Sequence, residues 1–289
     1  MVFKTIISTF LLVALFAASA GAETLAASAP SVESILDGSF HLMYDLKFDE
    51  ALRSVEYAKT VDTADPLPWV AQACAVIFRE FDRLHILRSD LFVSEDAFAN
   101  RPASSWLPDH KKQFDAAADG AEKIAQNRLA QNKQDIKALF TLAIISGLRA
   151  DDSAMITKHN MRALSYVKTA TSYSEKLLAL SPDFYDAYVG MGMAKYIVGA
   201  KPAPVRWILR MGGIPGDQDE GLKELTLAAQ HGRFLAPFAR IVLIFDEIKH
   251  NKKDDARKKL AVLHEQYPGN SLFVDEMAKC NTPQPTSAP

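Results

Sequence analysis

The chain has 289 residues, 48% of them hydrophobic, with 33 basic and 35 acidic side chains. That is ample apolar material for a continuous core, and the near-balanced charge gives no electrostatic case for nucleic acid. Two cysteines, Cys74 and Cys280, are too few for a disulfide scaffold; Cys74 stands in the middle of an apolar helix and reads as a small core residue.

At the start, Lys4 leads into the apolar run Thr5 to Ala18 and then into small residues at Ala18, Ala20 and Ala22. The run is shorter than the roughly 20 residues a spanning helix needs, and Ala-x-Ala sites follow it. Residues 1–22 are therefore expected to be a secretory signal peptide, and 23–31 a linker. Removing residues 1–22 takes away Lys4 and no acid, which leaves a formal charge of about −3. The processed protein is expected to be soluble, in a periplasmic or secreted location.

From Val32 onward apolar residues recur at helical spacing, and the alternating runs and Asn-Gly turns of strands are missing. The expected fold is all-α. A first hairpin covers about 32–62, turning at Asp45-Leu46-Lys47. A second begins with a helix over about 67–88, is interrupted by Ser89 to Ser105, where Phe92, Phe98 and Trp106 make an aromatic loop, and resumes over about 109–131. A third pairs 135–149 with 160–180. The fourth opens at Tyr185, is interrupted by an insertion from about Gly199 to Asp217, and continues in the helix carrying Leu222, Thr226 and Ala229. A fifth spans about 235–249 and 252–267. Ser271 to Lys279 follows as a capping helix, and 281–289, with three prolines and no large apolar residue, is expected to be a disordered tail.

One spacing recurs through these hairpins. Ile35, Gly38, Ser39 and Leu42 are followed by Ala51, Val55 and Ala58, and Trp69, Ala73 and Val76 stand 34 residues after Ile35, Ser39 and Leu42. Tyr188, Met191, Gly192 and Tyr196 repeat the first-helix pattern; Ala256, Leu260, Leu263 and Pro268 repeat the second. The pattern resembles the tetratricopeptide repeat (TPR) over most of 32–280. That resemblance implies a right-handed α-α superhelix of about five hairpins with a capping helix, and a function in binding. Gly212 to Asp217 followed by Gly221, Leu222 and Leu225 is also similar to the tetratricopeptide repeat domain 39 branch, a likeness from which no function is taken.

Catalytic motifs are missing. There is no Gly-x-Ser-x-Gly elbow, Gly190-Met191-Gly192 lies inside a helix without the preceding strand a dinucleotide loop needs, and the seven histidines form no His-Glu-x-x-His. Asp82 and His85 share a helix face at three-residue spacing, too few for a metal site. The cluster Lys249, Lys252, Lys253, Arg257, Lys258 and Lys259 lacks interleaved aromatics and reads as a solvated turn. No enzyme activity, cofactor or metal is expected, and no nucleic-acid partner.

The repeat phase assigns the concave face of each first helix. It places there Leu36, Phe40 and Met43, then Val70, Cys74 and Ile77, then Val189, Met193 and Ile197, then Ile241, Phe245 and Ile248. All twelve are apolar, whereas arrays that grip an acidic peptide tail carry Asn, Lys and Arg at such places. Two explanations stand. The insertions or a tight superhelix fill the concavity, or it takes an apolar peptide, partner helix or lipid-like molecule under the 89–108 and 199–217 insertions as lids. Val205, Trp207, Ile208, Leu209 and Met211 make the second insertion adhesive, and Lys201, Arg206 and Arg210 put positive charge at its rim, suited to an anionic head group or membrane surface. The leading expectation is an exported scaffold for protein partners; the alternative is a module for an apolar ligand. Candidate binding residues are Phe40, Met43, Val70, Met193, Ile197, Lys201, Arg206, Trp207, Arg210 and Phe245.

Overall fold

A computed structural model describes residues 30–281 except 95, 96, 98, 99, 212 and 215. Among these residues there are thirteen α-helices, one π turn and no strand, so the protein is all-α. Helix α1 (Val32–Tyr44) starts where the Ser31 hydroxyl accepts the Ser34 N–H at 3.2 Å, and it turns at Asp45 into α2 (Phe48–Val61). Pro68 occupies the first turn of α3 (Leu67–Arg83), where a missing N–H costs nothing. A single short turn, α4 (Asp90–Val93), interrupts the segment that leads to α5 (Pro108–Gln131). Helix α6 (Ile136–Asp151) is capped by Asp135, runs into the π turn Asp152–Ile156, and is followed by α7 (Asn160–Leu180). Then come α8 (Ala187–Gly199), α9 (Ala203–Met211), α10 (Gln218–His231), α11 (Ala236–Lys249), α12 (Lys253–Gln266) and α13 (Ser271–Asn281).

The pairs α1–α2, α3–α5, α6–α7, α8–α10 and α11–α12 pack side by side, and each pair packs on the next. First helices also meet first helices, α1 on α3, α3 on α6 and α6 on α8. The hairpins expected from the repeat spacing therefore form, and the end positions agree within a residue or two except at α3.

That helix stops at Arg83 rather than near residue 88. His85 takes a left-handed backbone (φ 54°), and the Ile86 N–H bonds back to the Phe81 carbonyl at 2.8 Å. Ile86 is buried, so the apolar contact that accompanies such an ending is in place. Asp82 and His85 consequently do not share a helix face. The same ending closes α1 at Leu46 (φ 59°) and α11 at Asn251 (φ 61°), with the N–H groups of Lys47 and Lys252 bonded five residues back.

The two ends of the helical body meet. Phe40 stacks on Phe234 with ring centroids 4.9 Å apart, and the Tyr44 hydroxyl donates to the Phe234 carbonyl at 2.9 Å. Arg233 holds Asp37 through two hydrogen bonds of 2.9 and 2.7 Å. Asp45 accepts the Gly269 N–H at 2.5 Å, and the Asn270 amide donates to the Tyr44 carbonyl at 2.8 Å. Further along, the buried Glu276 of α13 accepts both the Ser89 hydroxyl and the Ser89 N–H, and Lys279 pairs with Asp90 at 2.8 Å. One apolar core runs through α1, α2, α3, α5, α6 and α7 and takes in Phe234.

Glu80 ties α3 to α5 and to the segment between them. It is fully buried, and its carboxylate accepts from Arg83 Nη2 (2.5 Å) and Nε (3.1 Å), the Leu107 N–H (2.9 Å) and His110 Nδ1 (2.8 Å). A carboxylate only accepts, so His110 carries its proton on Nδ1. Burial pushes this carboxyl up, but the hydrogen bonds from Arg83, His110 and Leu107 outweigh it and hold the group below the usual carboxylate range. Its stabilisation is present above the unfolded-state value and disappears as pH falls through the lower folded-state value. The unfolding midpoint is expected to drop steeply below about pH 4.5, and Glu80→Gln to flatten that acid limb in thermal melts. Glu80→Ala should cost about 3 kcal/mol at neutral pH, because Arg83, His110 and the Leu107 N–H lose their acceptor.

Candidate functional site

The apolar positions assigned to the concave face divide sharply. Leu36, Phe40, Met43, Val70, Cys74, Ile77, Val189 and Phe245 are buried, Met193, Ile241 and Ile248 are half-buried, and Ile197 alone of the twelve is exposed. What covers them is mostly the returning chain. Phe234 lies on Phe40, and Phe92 of α4 lies against Phe245 at 5.3 Å. The remaining void, lined by Leu36, Phe40, Val70, Cys74, Phe140 and Phe234, measures about 10 Å³, no more than one water needs. Four of the ten candidate residues, Phe40, Met43, Val70 and Phe245, are therefore buried core side chains, and the helix of the 199–217 insertion packs on α8. Burial pushes the Cys74 thiol up to about 12, which makes it an inert wall of that void. Neither cysteine is in a disulfide.

The accessible candidates lie together at the other side of the fourth hairpin. Gly192 of α8 and Gly221 of α10 let the two backbones touch: a Cβ on Gly221 would sit 2.6 Å from the Tyr196 nitrogen, and one on Gly192 would sit 2.9 Å from the Gly221 carbonyl oxygen. Beside this crossing Lys195 pairs with Glu224, and the Tyr196 hydroxyl donates to Asp246 at 2.7 Å, where burial pushes the phenol up. The chain leaves α8 at Gly199, forms α9, and returns through Ile214, which is buried, to the Asp217 cap of α10. The 199–217 segment is thus a helix carried on α8 and tethered at both ends. Arg206 Nη1 donates to the Gly199 carbonyl at 3.2 Å, and the Asp217 N–H donates to the Lys195 carbonyl at 3.2 Å.

Helical spacing sorts α9 into two faces. Ala203, Arg206 and Arg210 share one side; Pro204, Val205, Ile208 and Met211 occupy the other; Trp207 stands at the boundary. The apolar side looks outward. Trp207 and Ile208 are each 63% exposed and Met211 is 70% exposed, and Ile197 on α8 adds another open apolar side chain at 49%. The basic side faces an open cleft of about 580 Å³ between α9 and the start of α10, walled by Arg206, Trp207 and Arg210 on one flank and Asp217, Gln218 and Asp219 on the other.

Of the candidate residues, this surface gathers Ile197, Lys201, Arg206, Trp207 and Arg210, and it leaves Met193 half-buried in the α8–α10 packing. Ile208 and Met211, the more open members of the apolar face, and the acidic flank Asp217 and Asp219 are missing from the sequence-based selection. The Asp217-x-x-Glu220 capping pattern marks the start of α10 and was the available signal for that flank. Elsewhere the basic turn between α11 and α12 is matched locally, Lys259 with Glu247 and Lys258 with Asp255 at 3.3 Å. Among the described residues no three His, Cys, Asp or Glu side chains gather closely enough to hold a metal ion, and no helix is long and apolar enough to cross a membrane.

No family model matches this chain. No curated protein matches it either.

The two glycine contacts supply a direct check on how the site is positioned. Gly221→Ala forces α8 and α10 apart and is expected to cost about 1–3 kcal/mol in urea unfolding. Gly38→Ala has nothing within 4 Å of the added methyl and should instead gain about 0.5–1 kcal/mol from helix propensity.

Proposed function

We propose that the protein is an exported, non-catalytic scaffold for protein partners, built as a right-handed superhelix of the tetratricopeptide kind. The reading is supported by the run of five hairpins, in the first four of which first helices stack on first helices, together with the Tyr188, Met191, Gly192 and Tyr196 pattern in α8. The observation that carries it is closure. Phe234 and its neighbours cover apolar side chains of the first helices, which supports a rigid body whose contacts fall to its outside. The alternative, an apolar ligand held in the concavity, has about 10 Å³ to occupy, far below the roughly 300–1,000 Å³ of small-molecule sites. The accessible candidates on α8 and α9 form a second contact surface on the same scaffold.

In-cell cross-linking through the exposed lysines of α7 and α12, followed by mass spectrometry of the exported fraction, tests this reading. Specific inter-protein links to a small set of partners are expected, and they should survive denaturing purification. A chain that gives only links to itself is not a scaffold.

A further inference from the structure

We propose that α9 is an interfacial helix that lays its outward apolar face into a membrane surface carrying anionic phospholipids. The juxtaposition is specific to this part of the molecule. Val205, Ile208 and Met211 project from one side of the helix, Trp207 stands at the edge, and Arg206 and Arg210, one turn apart, occupy the other side. A helix lying in the plane of a bilayer needs that arrangement: large apolar side chains directed into the acyl boundary, an aromatic ring at headgroup level, and long basic side chains reaching sideways to phosphates.

Charge selects the occupant. The whole chain carries a formal charge of −2, yet from Ala187 to Gly216 there is no Asp or Glu, and Lys195, Lys201, Arg206 and Arg210 are all basic. Lys195 is taken up by Glu224, Arg206 donates to the Gly199 carbonyl, and Asp217 and Asp219 line the same cleft as Arg206 and Arg210, opposite the apolar face, so these acids offset part of the positive charge on the cleft side only. Lys168 of α7 adds a further cation beneath the tip, within reach of a Cβ placed on Gly213. An acidic protein is repelled by an anionic bilayer everywhere except over such a patch, so charge orients the molecule and the apolar face holds it. The geometry of the body permits the contact, because α9 packs on α8 and is not part of any core cluster.

The test uses the chain from Glu23 onward, which keeps the whole compact unit that begins at Ser31 and lacks the apolar leader that would itself enter lipid. Flotation is run with vesicles of phosphatidylcholine alone and of phosphatidylcholine with phosphatidylglycerol. The protein is expected to float with the anionic vesicles only, and brominated lipid should quench Trp207 fluorescence, a signal lost in Trp207→Phe. Arg206→Gln/Arg210→Gln should weaken partitioning about 25-fold, at about fivefold for each basic side chain. Ile208→Ser/Met211→Ser should weaken it at least about tenfold, with unchanged circular dichroism and melting temperature in both variants. The proposal is overturned if the parent chain stays out of anionic vesicles, if the Ile208/Met211 variant binds as well as the parent, or if those two substitutions convert a lipid-free dimer to a monomer, which would assign the face to a second copy. Failure to float with cross-linked protein partners retained would overturn this inference and leave the scaffold reading standing.

Discussion

Everything in this molecule depends on the place where Phe234 enters the first hairpin. Two backbone N–H groups, those of Phe234 and Leu235, are accepted by the buried carboxylate of Asp186 at 3.1 and 3.0 Å, and this fixes the turn between α10 and α11. So held, the Phe234 ring meets Phe40, its carbonyl accepts Tyr44, and the neighbouring Arg233 grips Asp37. Aromatic burial supplies most of the free energy; the exposed Arg233–Asp37 pair adds direction more than strength. Without this contact the apolar face of α1 around Phe40 would lose its cover. With it, that face joins the core.

Closure also explains where the open chemistry lies. A repeat array normally spends its outer helices on packing and keeps the concave face for partners. Here Phe234 and its neighbours cover apolar side chains of the first helices, and exposed apolar surface lies on α9. Helix α9 lies outside the paired helices; it is carried between α8 and α10, which the paired glycines press together. The site is therefore positioned by backbone contact, and Trp207, Ile208 and Met211 on it remain exposed.

Much of this was legible in the sequence, for identifiable reasons. Period and small residues placed α1, α2, α5, α7, α8 and α11 to within a residue or two, because alanine and serine at the crossing points leave a pattern that side-chain chemistry alone writes. The phase also named the first-helix face as apolar, and eight of its twelve positions are buried; Arg206, Trp207 and Arg210 come from the composition of the 199–217 insertion, not from the phase. What could not be read was curvature: the phase says which way a side chain points, while closure comes from pairs such as Tyr44 and Phe234, separated by 190 residues. The early end of α3 was hidden as well. Left-handed endings usually announce themselves with glycine, and here Leu46, His85 and Asn251 adopt them, at His85 with the buried Ile86 following.

The same long-range seam imposes an order in time. Hairpins of neighbouring sequence form early and cheaply, since their loops are short, but the seam joins residues almost 200 positions apart and carries the greater closure entropy. Synthesis delivers α1 first and Phe234 late. Through that interval Phe40 lacks the ring that stacks on it, and the half-made chain is sticky at one edge. A protein of this design folds its parts as they emerge and becomes safe from aggregation only when its end returns to its beginning.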